Sequence, residues 1–290
     1  MEKVLVGVIG GSGLYEIEAL SALKEVSVST PFGKPSDPLM VGTLSGVRVA
    51  FLSRHGKGHR FSPTTINYRA NLFAMKKLGV ERILSVSAVG SMKEEIAPGE
   101  VVVPDQFYDH TKHRVSTFFG QGIVVHIPYS DPVCPEVAST LAQAARVEGV
   151  NVHEGGTYLC MEGPQFSSRA ESLIYRKFGV DVIGMTNATE AKLAREAEIC
   201  YATLALATDY DCWHSGEEAV TADAVLKILR QNVELSKRVI SQAIVKLPQR
   251  RGCGCGEVLK YSIMTQREKI PRKTRQDLGP IIGKYLKKTK

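Results

Sequence analysis

Short unbroken apolar runs alternate along the chain with longer stretches in which apolar residues recur every three or four positions. The first kind predicts strands buried on both faces and the second predicts amphipathic helices. Residues 4–9 read as a strand running into Gly10-Gly11-Ser12-Gly13. Residues 39–44 and 47–52 form a hairpin about Ser45-Gly46. A helix over 64–78, with Ile66, Leu72, Phe73 and Met75 apolar, stops at Gly79. A strand follows at 82–86, with Ser87-Ala88-Val89-Gly90-Ser91 as its exit loop. Beyond it come a helix at 135–148, an extended stretch at 152–161, a helix at 168–178, a short strand at 181–184 and a helix at 188–198. The apolar strand 200–207 runs into Thr208-Asp209-Tyr210-Asp211, and the longest helix spans 223–247, with Leu226, Leu229, Val233, Ile240 and Ile244 on one face.

Strands alternating with helices define an α/β chain, a mixed sheet wrapped by helices. With 290 residues, 43% of them hydrophobic, a full core fits in one large domain. We read 1–251 as that domain and 252–290 as a basic extension. No apolar run reaches the roughly 18 residues of a membrane span, and the apolar run after Lys3 is too short for a signal-peptide core, so a cytoplasmic protein is expected. The formal charge of +7 is a property of the terminus: from Arg267 to Lys290 there are nine Lys/Arg against two Asp/Glu. A solvated tail is the plain expectation; nucleic-acid or membrane binding by the tail lacks an aromatic-interleaved basic stripe.

The chemistry-bearing residues sit after strands, where open α/β proteins bind ligands. Gly11-Ser12-Gly13 can offer backbone N–H groups and a hydroxyl to an oxyanion, although it lacks the third glycine of a dinucleotide fingerprint. Arg54-His55 can supply a planar fork of donors and a ring donor. Ser87 and Ala88 add a hydroxyl and an amide. Phe166, in the loop 162–171, is an aromatic able to stack on a base. Met185-Thr186 follows the short strand. Two carboxylates, Asp209 and Asp211, follow a wholly apolar strand, where burial is costly unless something binds them. His110-x-x-His113 has no accompanying carboxylate motif for a metal, and a hydrolase's Gly-x-Ser-x-Gly elbow does not occur.

These loops together resemble those of the trimeric purine-nucleoside phosphorylase family, in its methylthioadenosine phosphorylase branch. The matching segments are 9–14, 30–37, 54–56, 162–171 and 207–213. The resemblance implies a mixed sheet curled into a distorted barrel and surrounded by helices, in trimers or dimers of trimers. It implies phosphorolysis of S-methyl-5'-thioadenosine to adenine and 5-methylthioribose 1-phosphate, with inorganic phosphate as co-substrate and no metal or organic cofactor. The phosphate site would comprise Ser12, Arg54, His55, Ser87, Ala88 and Thr186. Met185 would lie against the ribose and Phe166 against the base, with Asp209, Asp211 and Ser167 reading adenine. Asp209 would be the acid that protonates the leaving purine. Ala222 would lie near the 5'-substituent, and His126 would enter a neighbouring subunit's site. Ser12 and Ser87 stand where Thr is often found, which keeps the hydroxyl; Ala222 replaces a commoner, larger Val.

Three other readings compete. A 6-oxopurine or methylthioinosine phosphorylase would share the fold, but the carboxylate pair favours a 6-amino purine. A water-using nucleosidase would leave Arg54, His55 and Thr186 without a task. A nucleic-acid-binding protein acting through its tail would leave all the strand-end loops unexplained. Six cysteines, at 134, 160, 200, 212, 253 and 255, show no Cys-x-x-Cys spacing. Free thiols are the default, and Cys253-Gly254-Cys255 could instead close on itself or bridge to Cys200 or Cys212.

Overall fold

The computed structural model describes residues 3–11, 14, 16–17, 19–214 and 222–286, the side chains of 222–230 left out; Ser12 and the Ala222 side chain lie outside the described residues. The strands are β1 (Val6–Gly10), β2 (Leu20–Val26), β3 (Leu39–Leu44), β4 (Val47–Ser53), β5 (Arg82–Ser91), β6 (Val101–Val103), β7 (Gln106–His110), β8 (Val152–Glu154), β9 (Thr157–Met161), β10 (Val182–Gly184) and β11 (Cys200–Asp209). The helices are α1 (Tyr68–Leu78), α2 (Pro135–Val147), α3 (Arg169–Lys177), α4 (Asn187–Glu196), α5 (Ala222–Lys246), α6 (Arg272–Asp277) and α7 (Gly279–Leu286).

Among the described residues, the eleven strands belong to one mixed sheet. Its main path runs β2-β3-β4-β1-β5-β10-β9-β7, and β11 joins β5 with β6 and β8 beyond it. β1 is parallel to both β4 and β5, while β10 is antiparallel to β5. The pairings branch at β5, and among the described residues none joins β2 to β7. The sheet is therefore unclosed, where the family resemblance implied a distorted barrel.

Both faces of the sheet are covered, which is why β1 reads as an unbroken apolar run. Val6 and Val8 pack with Val137 and Leu141 of α2 and with Val239, Ile240 and Ile244 of α5. Ile9 belongs to the opposite cluster, with Leu72, Phe73 and Met75 of α1 and Leu193 of α4. Each such side chain contributes about 1.5–3 kcal/mol on burial. Local signals set the helix ends. Asn67 caps α1 by accepting from Ala70 N–H, and Gly79 ends it at φ 95°. Ser168 and Glu171 form a reciprocal capping box that starts α3.

The structure differs from the sequence reading in four respects. β5 continues through Ser91, so Ser87 and Ala88 are strand residues rather than loop: β11 runs alongside as far as Gly90, and β10 pairs with Gly90 and Ser91. The stretch 152–161 divides at Gly155-Gly156, both at positive φ, and its halves join different neighbours. β2, β6 and β7 were not foreseen, since β2 is largely exposed, β6 has three residues and β7 is rich in polar groups. Finally, the segment after 252 is no solvated tail. Leu259, Ile270, Leu278, Ile281 and Ile282 are buried in the same cluster as α1, while Arg272, Lys273 and Arg275 remain exposed. Among the described residues no helix is long and apolar enough to cross a membrane.

Candidate active site

The ends of β4, β5 and β10 converge on one buried hydrogen-bond network. Arg54 follows β4 and is 3% exposed. Its Nε and Nη2 donate to Glu190 at 2.5 and 3.1 Å, Nη1 donates to the Val86 carbonyl at 2.9 Å, and Nη2 also reaches Ser85 Oγ at 2.7 Å. Four of the five guanidinium N–H groups are thereby engaged within the chain. The sequence reading gave Arg54 a free fork for phosphate; the structure turns the fork to Glu190 and leaves one Nη1 hydrogen for a ligand.

Glu190, on α4, also accepts from Ser85 Oγ at 3.0 Å and Tyr201 Oη at 2.8 Å. Asn187 completes the network: its amide donates to Ser85, Tyr201 and Thr203, and its Oδ1 accepts from Tyr158 and Thr186. Ser87 Oγ lies 3.3 Å from the Tyr158 hydroxyl, so Ser87 and Thr186, on β5 and at the start of α4, are tied through two intermediates. The Tyr158 hydroxyl passes so close to Gly184 that a Cβ there would sit 1.9 Å away, which makes a side chain at 184 incompatible with the network. Ala88 is exposed beside Ser87.

His55 differs from expectation. Its Nδ1 is 2.8 Å from the Phe61 carbonyl, and its ring stacks on His59 at 4.2 Å. Burial first, then the nearby Arg54 and His59 charges, outweigh that hydrogen bond and hold the ring's pKa down at about 4. A neutral ring that donates from Nδ1 to a carbonyl leaves Nε2 as an acceptor. His55 thus offers a lone pair, suited to a protonated phosphate oxygen, rather than a second donor.

The carboxylate pair occupies the other side. β11 slips register between Ala207 and Asp209, which re-aims the strand end. Asp209 accepts from the Thr208 hydroxyl at 2.6 Å and from the Asp211 N–H at 2.8 Å. Asp211 sits at φ 54°, a conformation Asp tolerates better than most residues, and its Oδ2 accepts from Ser172 at 2.6 Å. Burial raises the proton affinity of Asp211 above the ordinary carboxylate value, against the Ser172 hydrogen bond. Both aspartates pack over Gly90, where a Cβ would lie 3.2 Å from Asp209 Oδ1 and 3.4 Å from Asp211 Cβ. Ser167 joins them, accepting from the Cys212 thiol at 3.2 Å, while neighbouring Phe166 is 84% exposed.

Arg114 and Glu162 link the loops that carry Phe166 and Met185; Arg114 was not singled out from sequence, and Glu162 only as the first residue of the loop 162–171. The Arg114 side chain, 1% exposed, donates to the Met185 carbonyl, to the Glu162 carbonyl at 2.7 Å and to the Glu162 carboxylate at 3.3 Å. Against the upward push of partial burial, donors from Thr64, Lys112, His113 and Arg114 draw the Glu162 carboxyl down to about 2. The backbone beneath Met185 is thus fixed to the loop that carries Phe166. His126 stands apart: it is exposed, and its N–H donates to the Ser262 carbonyl at 2.9 Å.

Residues 5–245 match the family model of the Phosphorylase superfamily. The S-methyl-5'-thioadenosine phosphorylase of Geobacter sulfurreducens is 57% identical over 99% of this chain and 100% of its own length. That of Koribacter versatilis is 56% identical over 97% and 96%. A crystal structure of a methylthioadenosine phosphorylase from an antarctic soil metagenomic library superposes with a TM-score of 0.94, at 47% identity over 97% of this chain and 99% of that one. A variant of the Schistosoma mansoni adenosine/methylthioadenosine phosphorylase, in complex with adenine, gives 0.84 at 37% identity over 91% and 100%. The chain belongs to the phosphorylase superfamily and, within it, to the S-methyl-5'-thioadenosine phosphorylases.

Proposed function

We propose that this protein splits S-methyl-5'-thioadenosine with inorganic phosphate, releasing adenine and 5-methylthioribose 1-phosphate. One observation carries the reading: hydroxyl and guanidinium groups from three strand ends share a single buried network beside a pair of carboxylates. Arg54 Nη1, Ser87, Ala88 and Thr186 would hold the phosphate, with Ser12 from the glycine-rich loop. A phosphate oxygen forms the bond to C1' as the C1'–N9 bond breaks, its electron pair passing to the purine. A proton from Asp209 to N7 neutralises that leaving group. Asp211 and Ser167 would hold the 6-amino edge, Phe166 would cover the base and Met185 the ribose. Positioning and fixed electrostatics supply most of the rate.

Ala222 would leave room at the 5'-end and narrow the preference for methylthio over hydroxyl. An exposed His126 is consistent with a residue donated to a neighbouring subunit, in a trimer or dimer of trimers; a fully active monomer in sedimentation at assay concentration would exclude that assembly. The function itself is tested by following adenine release in the ultraviolet with and without phosphate. Strict phosphate dependence is expected, and undiminished turnover in phosphate-free buffer would overturn the assignment in favour of hydrolysis. Faster turnover of inosine-type substrates would favour the 6-oxopurine reading.

A further inference from the structure

Cys134, Cys200, Cys253 and Cys255 are far apart in sequence, yet all four Sγ atoms lie within 4.8 Å of one another. Cys134 precedes α2 and Cys200 opens β11, the two joined by a 2.9 Å hydrogen bond from Cys134 N–H to the Tyr201 carbonyl. Cys253 and Cys255 bring the beginning of the C-terminal extension to the same point. Cys253 Sγ lies 3.7 Å from Cys134 Sγ and 3.4 Å from Cys200 Sγ. No sulfur is in a disulfide, three of the four residues are buried, and Cys253 is half-buried.

We propose that these sulfurs bind one Zn²⁺ as a tetrathiolate that staples the C-terminal extension to the catalytic core. A tetrahedral ion with Zn–S bonds of about 2.3 Å sets its ligand sulfurs about 3.8 Å apart, close to the separations around Cys253. Two disulfides would instead draw the sulfurs into two pairs, each closed to about 2.05 Å, whereas Cys253 contacts Cys134 and Cys200 alike. Binding converts four thiols and Zn²⁺ into a complex of net charge −2 and releases four protons to solvent. Positive potential is already in place: Arg195 Nη1 reaches Cys255 Sγ at 3.5 Å, its Nε is buried without a partner, and Cys134 stands at the positive end of α2. All-sulfur tetrahedral coordination selects a soft divalent ion over Mg²⁺ or Ca²⁺.

The staple has a mechanical reach. Beyond Cys255 the extension pairs with the segment that carries His126, through Met264 N–H to the Val124 carbonyl and His126 N–H to the Ser262 carbonyl. Losing the ion would loosen the extension at its root and, with it, the support of His126.

The test is elemental analysis of protein made in zinc-supplemented medium and purified without chelator, combined with intact-mass and thiol measurements. One zinc per chain is expected, falling to near zero in Cys253→Ser and Cys255→Ser but unchanged in Cys212→Ser, whose thiol lies outside the cluster. Stripping the metal should lower the melting temperature of the wild type, and adding Co²⁺ to the stripped protein should produce thiolate-to-metal charge-transfer absorption. Circular dichroism on each variant separates loss of the ion from loss of the fold. Metal-free wild-type protein that takes up no Co²⁺ overturns the proposal. A mass lower by four hydrogens would then identify two disulfides, and six titratable thiols would identify free cysteines.

Discussion

Arg54 and Asp209 stand at the carboxyl ends of β4 and β11, yet their surroundings differ in kind. Arg54 is 3% exposed and locked by four hydrogen bonds in a network closed by Glu190, Asn187, Ser85 and Tyr201. Asp209 is half-buried, held by one hydroxyl and one backbone N–H, and next to Ser167 stands Phe166, 84% exposed. Among the described residues, the Arg54 network is closed within one chain. The Asp209 side is open, and its aromatic, Phe166, is exposed. A nucleophile needs fixed geometry, whereas a nucleoside must enter and leave; on the proposed function the two halves would divide these demands.

The largest effect is expected from breaking the closed half. Arg54→Ala strands the Glu190 carboxylate in the interior, so it should cost about 3–5 kcal/mol of stability as well as phosphorolysis. The double change Arg54→Met with Glu190→Leu should recover most of the stability and none of the activity, read by denaturant melts beside the adenine assay. If Arg54→Ala only raises the KM for phosphate at an unchanged melting temperature, the closed network is not the frame described here.

Next in size is the open half. Asp209→Ala should lower kcat by about 10²–10⁴-fold, the usual range for a general acid, with little change in melting temperature. Asp209→Asn keeps the shape and can donate to a 6-oxo group, so its preference should move towards inosine. An Asn variant with wild-type kcat/KM on methylthioadenosine would make Asp209 a structural residue. A smaller change follows at Phe166, where Ala removes a stacking face: the nucleoside KM should rise about two- to tenfold while the phosphate KM stays constant. Parallel changes in both constants would mean that the two halves are not separate.

The smallest effect concerns His55. Its pKa is lowered from 6.5 to about 4 by burial first, so the folded state binds fewer protons than the unfolded state across that window. Stability from this ring is full above pH 6.5 and is lost as pH falls towards 4. The melting temperature of His55→Gln should therefore depend less on pH between 6.5 and 4 than that of the wild type. Equal slopes would show that His55 is protonated in the fold.

The runs 4–9 and 200–207 were legible as strands because burial on both faces leaves no polar position; the polar groups after them stood out by contrast, although Ser87 and Ala88 belong to β5 rather than to a loop. β2 and β7 were not, since edge strands need no apolar alternation, and β6, paired on both sides, has only three residues. Glu190 escaped notice because a glutamate inside a helix normally faces water. The signal lay in its phase, since 187, 190, 191 and 194 fall on one helical face and are all buried. Arg114 lies in a loop without pattern, and only the fold brings it under Met185. The cysteines mislead in the opposite way. No spacing links Cys134, Cys200 and Cys253, and the bridge to Cys212 that the sequence allowed does not form, because that thiol points to the Ser167 carbonyl.

On the proposed function, the match of Arg54 with Glu190 would also govern the electric field at the sugar. A guanidinium already paired with a carboxylate, beside a neutral His55, gives a dianion directed hydrogen bonds but little opposing net charge. Phosphate seated there would keep most of its negative potential, and the centre to respond would be C1' as positive charge grows there. A lone arginine would grip the anion harder and blunt that response. The same balance would make ionic strength a weak lever on phosphate binding, because Debye screening acts on net charge more than on short hydrogen bonds.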